Sequence, residues 1–582
     1  MKDIIRVLKK YKQILSKGQK LRIAVIIIMM FIGGALETMS VSLILPLVTA
    51  IMQPNFIETN KYAKYVCEVL DLHSVNTFMI IVLLGLIGIY IVKNSFLFLQ
   101  YYTQTRFVCN NRFALQQRLM QSYLSRNYEF FLNESSSEVM RVISGDVSSA
   151  FQLLSTLMEL FTELVITVAL VTTIIAVDPL MAGLVAGILL ILMMFLGGVM
   201  KPALRRSGRR YQQSTADATK WLMQSLHGIK EVKVAAKEGF FLREYGKAGK
   251  KSIDCEKKNT VMMHIPRLTI ETVTVAAMLG VIALMMLRGK QVADLVPQLS
   301  AFAMAAVRLL PSTNRISTAY NNISYYEPML DKMLENMRDV DEGDVTWDNG
   351  TKDNTLFTLH RQVELQNVTY RYPNTEESVL KNSNMVVPVG KSVGIVGVSG
   401  AGKTTAVDIL LGLLKPEEGQ VLADGKNIEE DYRGWLSCLS YIPQNIYMLD
   451  DTIRANVAFG FDLKKVSDEQ IWRALREAQL EEFVKSLPEG LDTSIGERGV
   501  RLSGGQRQRI GIARALFTDP ELIILDEATS ALDNETEAAI MDAINALHGK
   551  KTLIIIAHRL TTIEECDMVY RVEAGKLVLQ RK

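Results

Sequence analysis

The sequence is poor in the features that clasp a metal or staple a small secreted fold. Its five cysteines (Cys67, Cys109, Cys255, Cys438, Cys566) are scattered, with no C-x-x-C pair and no histidine at metal spacing. That pattern argues against a zinc site and against a disulfide framework. Charge of one sign is also lacking. Sixty-five Lys and Arg against sixty-two Asp and Glu leave a net +3, too small to imply nucleic acid, and no DNA- or RNA-binding pattern stands out. No cleavable signal peptide is expected at the start. The opening MKDIIRVLKKYKQILSKGQKLR is basic and amphipathic, and fits a helix on the cytoplasmic membrane surface.

Apolar residues are abundant. They make up 49% of 582 residues, beside 22% charged. A chain this long is expected to form two or more domains. The average hides a split: residues 1–330 are apolar and helical in pattern, 331–360 read as a linker, and 361–582 read as a soluble α/β domain.

Six apolar segments, roughly 21–52, 77–105, 150–177, 180–200, 261–287 and 296–325, each hold about 20 apolar-rich residues, enough to span a hydrocarbon core. Asp178-Pro179 separates the third and fourth as a tight turn. The segments between spans two and three and between spans four and five are rich in Lys and Arg. The positive-inside rule therefore places them, and both termini, in the cytoplasm. Both continue the helical pattern past the membrane and contain short turns, near 127–136 and 225–234, suited to docking on a cytoplasmic domain. Between spans one and two, KYAKYVCEVLDL carries Tyr62, Tyr65, Val66 and Leu70 at helical spacing, a short outer-face helix.

Charges inside the spans ask for an explanation. Arg308 and Arg315 lie seven residues apart, so two helical turns put them on nearly one face. Lys93 and Arg267 fall in spans two and five; Glu37 and Glu271 fall in spans one and five. Intramembrane charges face the bundle interior and mark substrate paths, or pair with each other. Lys93, Arg267, Arg308 and Arg315 against Glu37 and Glu271 leave a positive surplus, which Glu159 and Glu163 offset in part. A basic cavity favours an anionic head group, and arginine suits phosphate through its planar fork. The alternative is that Arg267 and Arg315 snorkel to the cytoplasmic surface, or pair with the acids as structure.

The soluble half carries sharper motifs. GVSGAGKT (397–404) matches G-x-x-x-x-G-K-[ST] between a strand-like SVGIV and a helix-like run. Nucleotide contacts are expected at Gly397, Ser399, Gly400, Gly402, Lys403, Thr404 and Thr405. Lys403 is to reach the β and γ phosphates, and the Thr404 hydroxyl to ligate Mg²⁺. ELIILDE (521–527) reads as a buried strand ending in two acids. Asp526 is placed to hold Mg²⁺ through water and Glu527 to polarise an attacking water.

Between these motifs LSGGQRQR (502–509) resembles the signature of ATP-binding cassette (ABC) proteins, and the resemblance extends over the whole chain. Gln444 in SYIPQNIYML resembles the family's Q-loop residue, SALD (530–533) its D-loop, His558 its switch histidine, GERG (496–499) its short exporter motif, and Tyr372 the aromatic that stacks on adenine. The resemblance implies a membrane all-α six-helix exporter domain followed by an α/β P-loop nucleotide-binding domain. It implies ATP and Mg²⁺ as cofactors and an ATP hydrolase coupled to transport. Glu527, His558 and Gln444 would be catalytic, with Gln444 also at the metal. Ser503, Gly505 and Gln506 of a second copy would cap the γ-phosphate. One membrane domain and one cassette make half a transporter, so a homodimer is expected. No fused receptor or peptidase domain is expected, which argues against bacteriocin-type peptide export. VRLLPSTNRI, GALETMSVSLILPLV, IPRLTIE and YYEPMLDKM are similar to the bacterial flippases of lipid-linked oligosaccharides (PglK type). That similarity implies ATP-driven flipping of a polyprenyl-pyrophosphate-linked glycan to the outer leaflet of the bacterial inner membrane. The alternative is export of another amphiphile: a lipid, drug or peptide.

Overall fold

The computed structural model describes residues 2–42, 75–177, 179–287, 292–341, 357–373, 375–526, 541–542, 544–557 and 561–581. The expected helix near 62–70, Glu527, 530–533 and His558 lie outside them. The chain divides into two compact units, residues 1–126 with 133–347, and residues 127–132 with 348–582.

The first unit is helical. It comprises α1 (Lys2–Ile14), α2 (Lys17–Ser42), α3 (Val75–Leu124), α4 (Tyr128–Asn133, which belongs largely to the second unit), α5 (Ser136–Met140), α6 (Val147–Val177), α7 (Pro179–His227), α8 (Ile229–Val234), α9 (Glu238–Leu287) and α10 (Val292–Asp341). The apolar patterns continue into polar extensions, so α3, α7, α9 and α10 reach about 50 residues each, with Pro202 inside α7 and Pro266 inside α9. The expected spans mark only the apolar parts of these helices. Among the described residues three helices are long and apolar enough to cross a membrane: Lys17–Ser40, Met79–Leu124 and Ser136–Thr172. The turns expected near 127–136 and 225–234 contain α4 and α8.

The core of this unit collects the buried faces of several helices. Leu153, Leu157 and Leu160 of α6 meet Ile323, Leu330 and Met333 of α10, and Val7 and Tyr11 of α1, with Leu15 just after it, join them. Protein thus covers part of the apolar surface of the first helix, while Ile5 and Leu8 stay exposed. Its polar face is held as well: Lys10 donates to Glu327 at 3.2 Å, and Arg6 and Arg205 each approach that buried carboxylate at 3.7 Å. Burying a carboxylate is costly unless cations surround it. Where α7 passes α10, a Cβ on Gly208 would stand 2.2 Å from the Tyr325 carbonyl oxygen; only glycine permits that approach.

The second unit holds two sheets. One is antiparallel, in the order β2-β1-β4-β5: β1 (Gln362–Tyr370), β2 (Leu380–Pro388), β4 (Glu418–Ala423) and β5 (Lys426–Asn427). The other runs β10-β9-β3-β8-β7-β6. Its strands are β3 (Ser392–Val396), β6 (Leu439–Ile442), β7 (Leu522–Asp526), β8 (Thr552–Ile556), β9 (Met568–Glu573) and β10 (Lys576–Arg581). All pair in parallel except β10 with β9. The central strands LIILD and TLIII are buried at every position, as expected where both faces of a parallel sheet are covered. Ligands of such sheets bind beyond the carboxyl ends of the strands. Here those ends carry the phosphate loop after β3, Gln444 after β6 and Asp526 at the tip of β7.

Candidate functional site: a nucleotide cradle and a charged membrane cavity

The phosphate loop folds as its glycines require. Gly400 and Gly402 adopt φ of 79° and 104°, open to glycine at no steric cost. Gly402 is the N-cap of α11 (Lys403–Leu410), so the loop delivers an anion to a helix N-terminus. Lys403 is buried, and its Nζ donates to the carbonyl oxygens of Gly397 at 3.0 Å and Val398 at 3.2 Å. An ammonium has three donors, so the third remains for a phosphate oxygen.

Asp526 is buried at the end of β7 and accepts from the Thr404 hydroxyl at 3.4 Å. Tyr441 of β6 donates to the same oxygen at 3.4 Å. Asp408, one turn past Thr404 on α11, faces this group. Burial and then the Asp526 charge push its carboxyl up to about 6. Two carboxylates and a hydroxyl form a hard-oxygen set that suits Mg²⁺, which binds through one or two carboxylates and substrate phosphates rather than a protein cage. Asp408 belongs to no motif in the sequence, and Tyr441 falls in the Q-loop stretch without a role of its own; the register of β6 against β7 and the packing of α11 reveal their places.

Tyr372 stands beside the cradle. Its hydroxyl shares a 3.0 Å hydrogen bond with Thr405 Oγ1, and its ring meets that of Tyr370 edge-on at 5.2 Å. Gln444 lies exposed in the loop after β6. That loop is held by Arg514, which donates to the carbonyls of Tyr447 and Asn456 at 2.8 Å each, and burial lowers its guanidinium to about 10.

The signature opens α12 (Gly504–Phe517). Ser503 Oγ accepts from Gln506 N at 3.2 Å, and Gln506 Oε1 accepts from Ser503 N at 2.8 Å, a reciprocal cap. The Gln506 side chain is therefore occupied by its own helix. Ser503 and Gln506 make no side-chain hydrogen bond to the phosphate loop among the described residues. Gly505 is buried beneath them. What this places at the surface is a 14-residue helix's N-terminus, a second ready anion site.

In the helical unit a cavity of about 600 Å³ is lined by Arg267, Arg315, His264, Glu159 and Glu163, with Tyr101 and Asn314. Of the expected basic positions Arg267 and Arg315 line it, and Lys93 is not in its lining. Lys93 is buried and pairs with Glu37 at 2.8 Å, its ammonium 4.6 Å from the Tyr90 ring. Arg315 donates to Glu163 at 2.6 Å. Arg267 is exposed into the cavity. Arg308 lies on α10, seven residues before Arg315; its side chain is outside the described part. The expected positive surplus is thus reduced, because a buried ammonium without a counter-ion would cost several kcal/mol. Two buried acceptors in the cavity wall, Glu163 Oε2 and Asn314 Oδ1, have no partner among the described residues.

Helical unit, two-sheet unit, phosphate loop and signature helix define a protein with membrane-length helices and a nucleotide-binding cassette. Residues 23–294 match the ABC transporter transmembrane region and residues 380–530 match the ABC transporter family; the chain belongs to that family, with the organisation of an exporter half-transporter. Among known proteins it is similar to the ATP-dependent lipid A-core flippase of Salmonella typhimurium, 39% identical over 276 residues, 47% of this chain and 46% of that one. It is also similar to the ATP-dependent lipid A-core flippase of Pseudomonas aeruginosa, 30% identical over 378 residues, 64% of this chain and 61% of that one. The chain spans about half the length of the first of these relatives. Its fold is that of a solved bacterial Atm1-family ABC exporter with ATP bound, at a TM-score of 0.74 and 24% identity over 96% of this chain and 94% of that one.

Proposed function

We propose that the chain is one half of an ATP-driven flippase that acts as a homodimer and moves an amphiphile with an anionic, hydroxyl-rich head to the outer leaflet of a bacterial inner membrane. The polyprenyl-pyrophosphate-linked oligosaccharide is the particular substrate we favour. The observation that carries this reading is the cavity in which Arg267 and Arg315 stand with the unpartnered Glu163 Oε2 and Asn314 Oδ1. Arginine binds phosphate oxygens through its fork, and sugar hydroxyls satisfy buried acceptors that otherwise cost about 1–3 kcal/mol each. A phosphate displaces Glu163 from Arg315 as it enters. The names of the relatives, lipid A-core flippases, agree with a phosphorylated glycolipid of this general kind.

The power stroke follows from the cradle. ATP sits on the phosphate loop with its adenine against Tyr372. Lys403 contributes its remaining donor to the phosphates. Thr404 and Asp526, with Gln444, would hold Mg²⁺, which would neutralise phosphate charge. Glu527 orients the attacking water and His558 contacts the γ-phosphate. The N-terminus of α12 in a second copy closes the site through Ser503 and Gly505. Exposed Ile229 and Val234 of α8 are apolar surface that a second copy covers.

Because Arg315 is already paired, a second reading has support: an amphiphile with a zwitterionic head would fit the same cavity. ATPase stimulation separates the two. The purified protein in nanodiscs should respond to polyprenyl-pyrophosphate lipids above phosphatidylcholine-like and neutral amphiphiles, and Arg315→Ala should remove the preference. Equal stimulation by all heads contradicts the anionic reading.

A further inference from the structure

One tyrosine outside the nucleotide motifs connects the adenine side of the cradle to a helix. Tyr370, the last residue of β1, is 1% exposed. Its hydroxyl donates to Glu129 Oε1 of α4 at 3.1 Å. Its ring meets Tyr372 at 5.2 Å with the planes 84° apart. Tyr372 in turn shares its hydroxyl with Thr405 of the phosphate loop at 3.0 Å. The order is therefore α4, Tyr370, Tyr372, phosphate loop, with each link a direct contact. Residues 127–132, which hold most of α4, come from the stretch between two long helices of the first unit yet form one compact body with the cassette. The Asp408 charge reaches both Tyr128 of α4 and Tyr370. Burial and the Glu129 charge both raise the Tyr370 phenol well above its ordinary value, so it is a donor throughout the physiological range.

We propose that Tyr370 is a positioning residue that ties the occupancy of the adenine subsite to α4: its ring carries Tyr372 and its hydroxyl carries Glu129. An edge-on aromatic pair has a directional preference, so a Tyr372 ring that turns to stack on adenine re-seats the Tyr370 ring. A phenol hydrogen-bonded to a carboxylate passes that shift to the helix that follows α3. This rests on the nucleotide reading of the phosphate loop and not on the identity of the transported lipid.

The test is amide hydrogen exchange of peptides covering 127–133, in the full-length protein in nanodiscs, with and without ATP–Mg²⁺. Fluorescent ATP binding is measured in parallel. In the parent protein ATP should slow exchange in α4 by at least about three-fold, the scale of a local stability change of under 1 kcal/mol. Tyr370→Phe and Glu129→Ala should each abolish the response while ATP affinity stays within about two-fold, and the double variant should lose no more than either, because both remove one bond. Glu129→Gln keeps an acceptor and should keep the response. Tyr372→Ala should instead weaken ATP binding. If Tyr370→Phe does not fold, Glu129→Ala on the half-exposed helix tests the same bond. An α4 that answers ATP equally in Tyr370→Phe, or that exchanges faster by the same factor with and without ATP, overturns the proposal. Failure of the parent protein to bind ATP overturns the nucleotide reading instead.

Discussion

Replacing Asp408 by asparagine should stabilise the nucleotide-binding unit, and by an amount that depends on pH. Burial and the neighbouring Asp526 lift the Asp408 carboxyl from 3.8 to about 6. The folded state therefore holds a proton that the unfolded chain releases, and stability falls as pH rises from about 4 through 6. A shift of about two units corresponds to about 3 kcal/mol. The carboxylate is half-exposed, so screening reduces this to about 1 kcal/mol. At pH 5 about half of that penalty is present, and above pH 7 all of it. The neutral amide of the Asp408→Asn variant carries none. The assay is thermal unfolding of the purified protein in EDTA at pH 5 and pH 8, parent against Asp408→Asn. A unit of this size shifts by about 2–4 °C per kcal/mol, so the variant should melt about 1–2 °C higher at pH 5 and about 2–4 °C higher at pH 8. An advantage that is equal at both pH values, or a loss at pH 8, refutes the charge argument.

Packing, the catalytic loop and the cavity can each be perturbed separately. Gly208→Ala puts a methyl 2.2 Å from the Tyr325 carbonyl and should cost about 1–3 kcal/mol through overpacking, read as an earlier melt in detergent with no change in ATP affinity. Arg514→Met keeps the aliphatic stem but strips the donors from the Tyr447 and Asn456 carbonyls. It should lower stability by about 1–3 kcal/mol and slow ATP turnover more than it weakens ATP binding, seen in kcat against KM. Glu163→Gln removes the negative charge paired with Arg315 and should lower the concentration of an anionic lipid needed for half-maximal ATPase stimulation.

Much of the nucleotide site was legible in the sequence because it depends on local chain geometry. A strand, a glycine turn and a helix N-terminus occupy consecutive residues, so GVSGAGKT states its own structure. The reciprocal cap of Ser503 and Gln506 could also be read from an S-x-x-Q spacing, although its consequence is that Gln506 serves its own helix. Tyr441, Asp408 and Tyr370 were not legible. Each acts across a strand register or a helix contact: Tyr441 bonds Asp526 across 85 positions and Tyr370 bonds Glu129 across 241, while Asp408 feels the Asp526 charge through the packing of α11. In the membrane part hydropathy located the spans but could not pair charges, since Lys93 with Glu37 and Arg315 with Glu163 are meetings between different helices.

ATP-driven movement of an anionic lipid-linked glycan is tested most directly by the leaflet exposure of that lipid. The protein is reconstituted in liposomes with a fluorescent polyprenyl-pyrophosphate glycan, ATP is added on the cassette side, and loss of label to a membrane-impermeant quencher is followed, with Glu527→Gln as the inactive control. ATP-dependent flipping that disappears in Glu527→Gln, and weakens in Arg315→Ala while ATPase persists, is the predicted result. Sustained ATP hydrolysis with no change in leaflet exposure would contradict the proposed function.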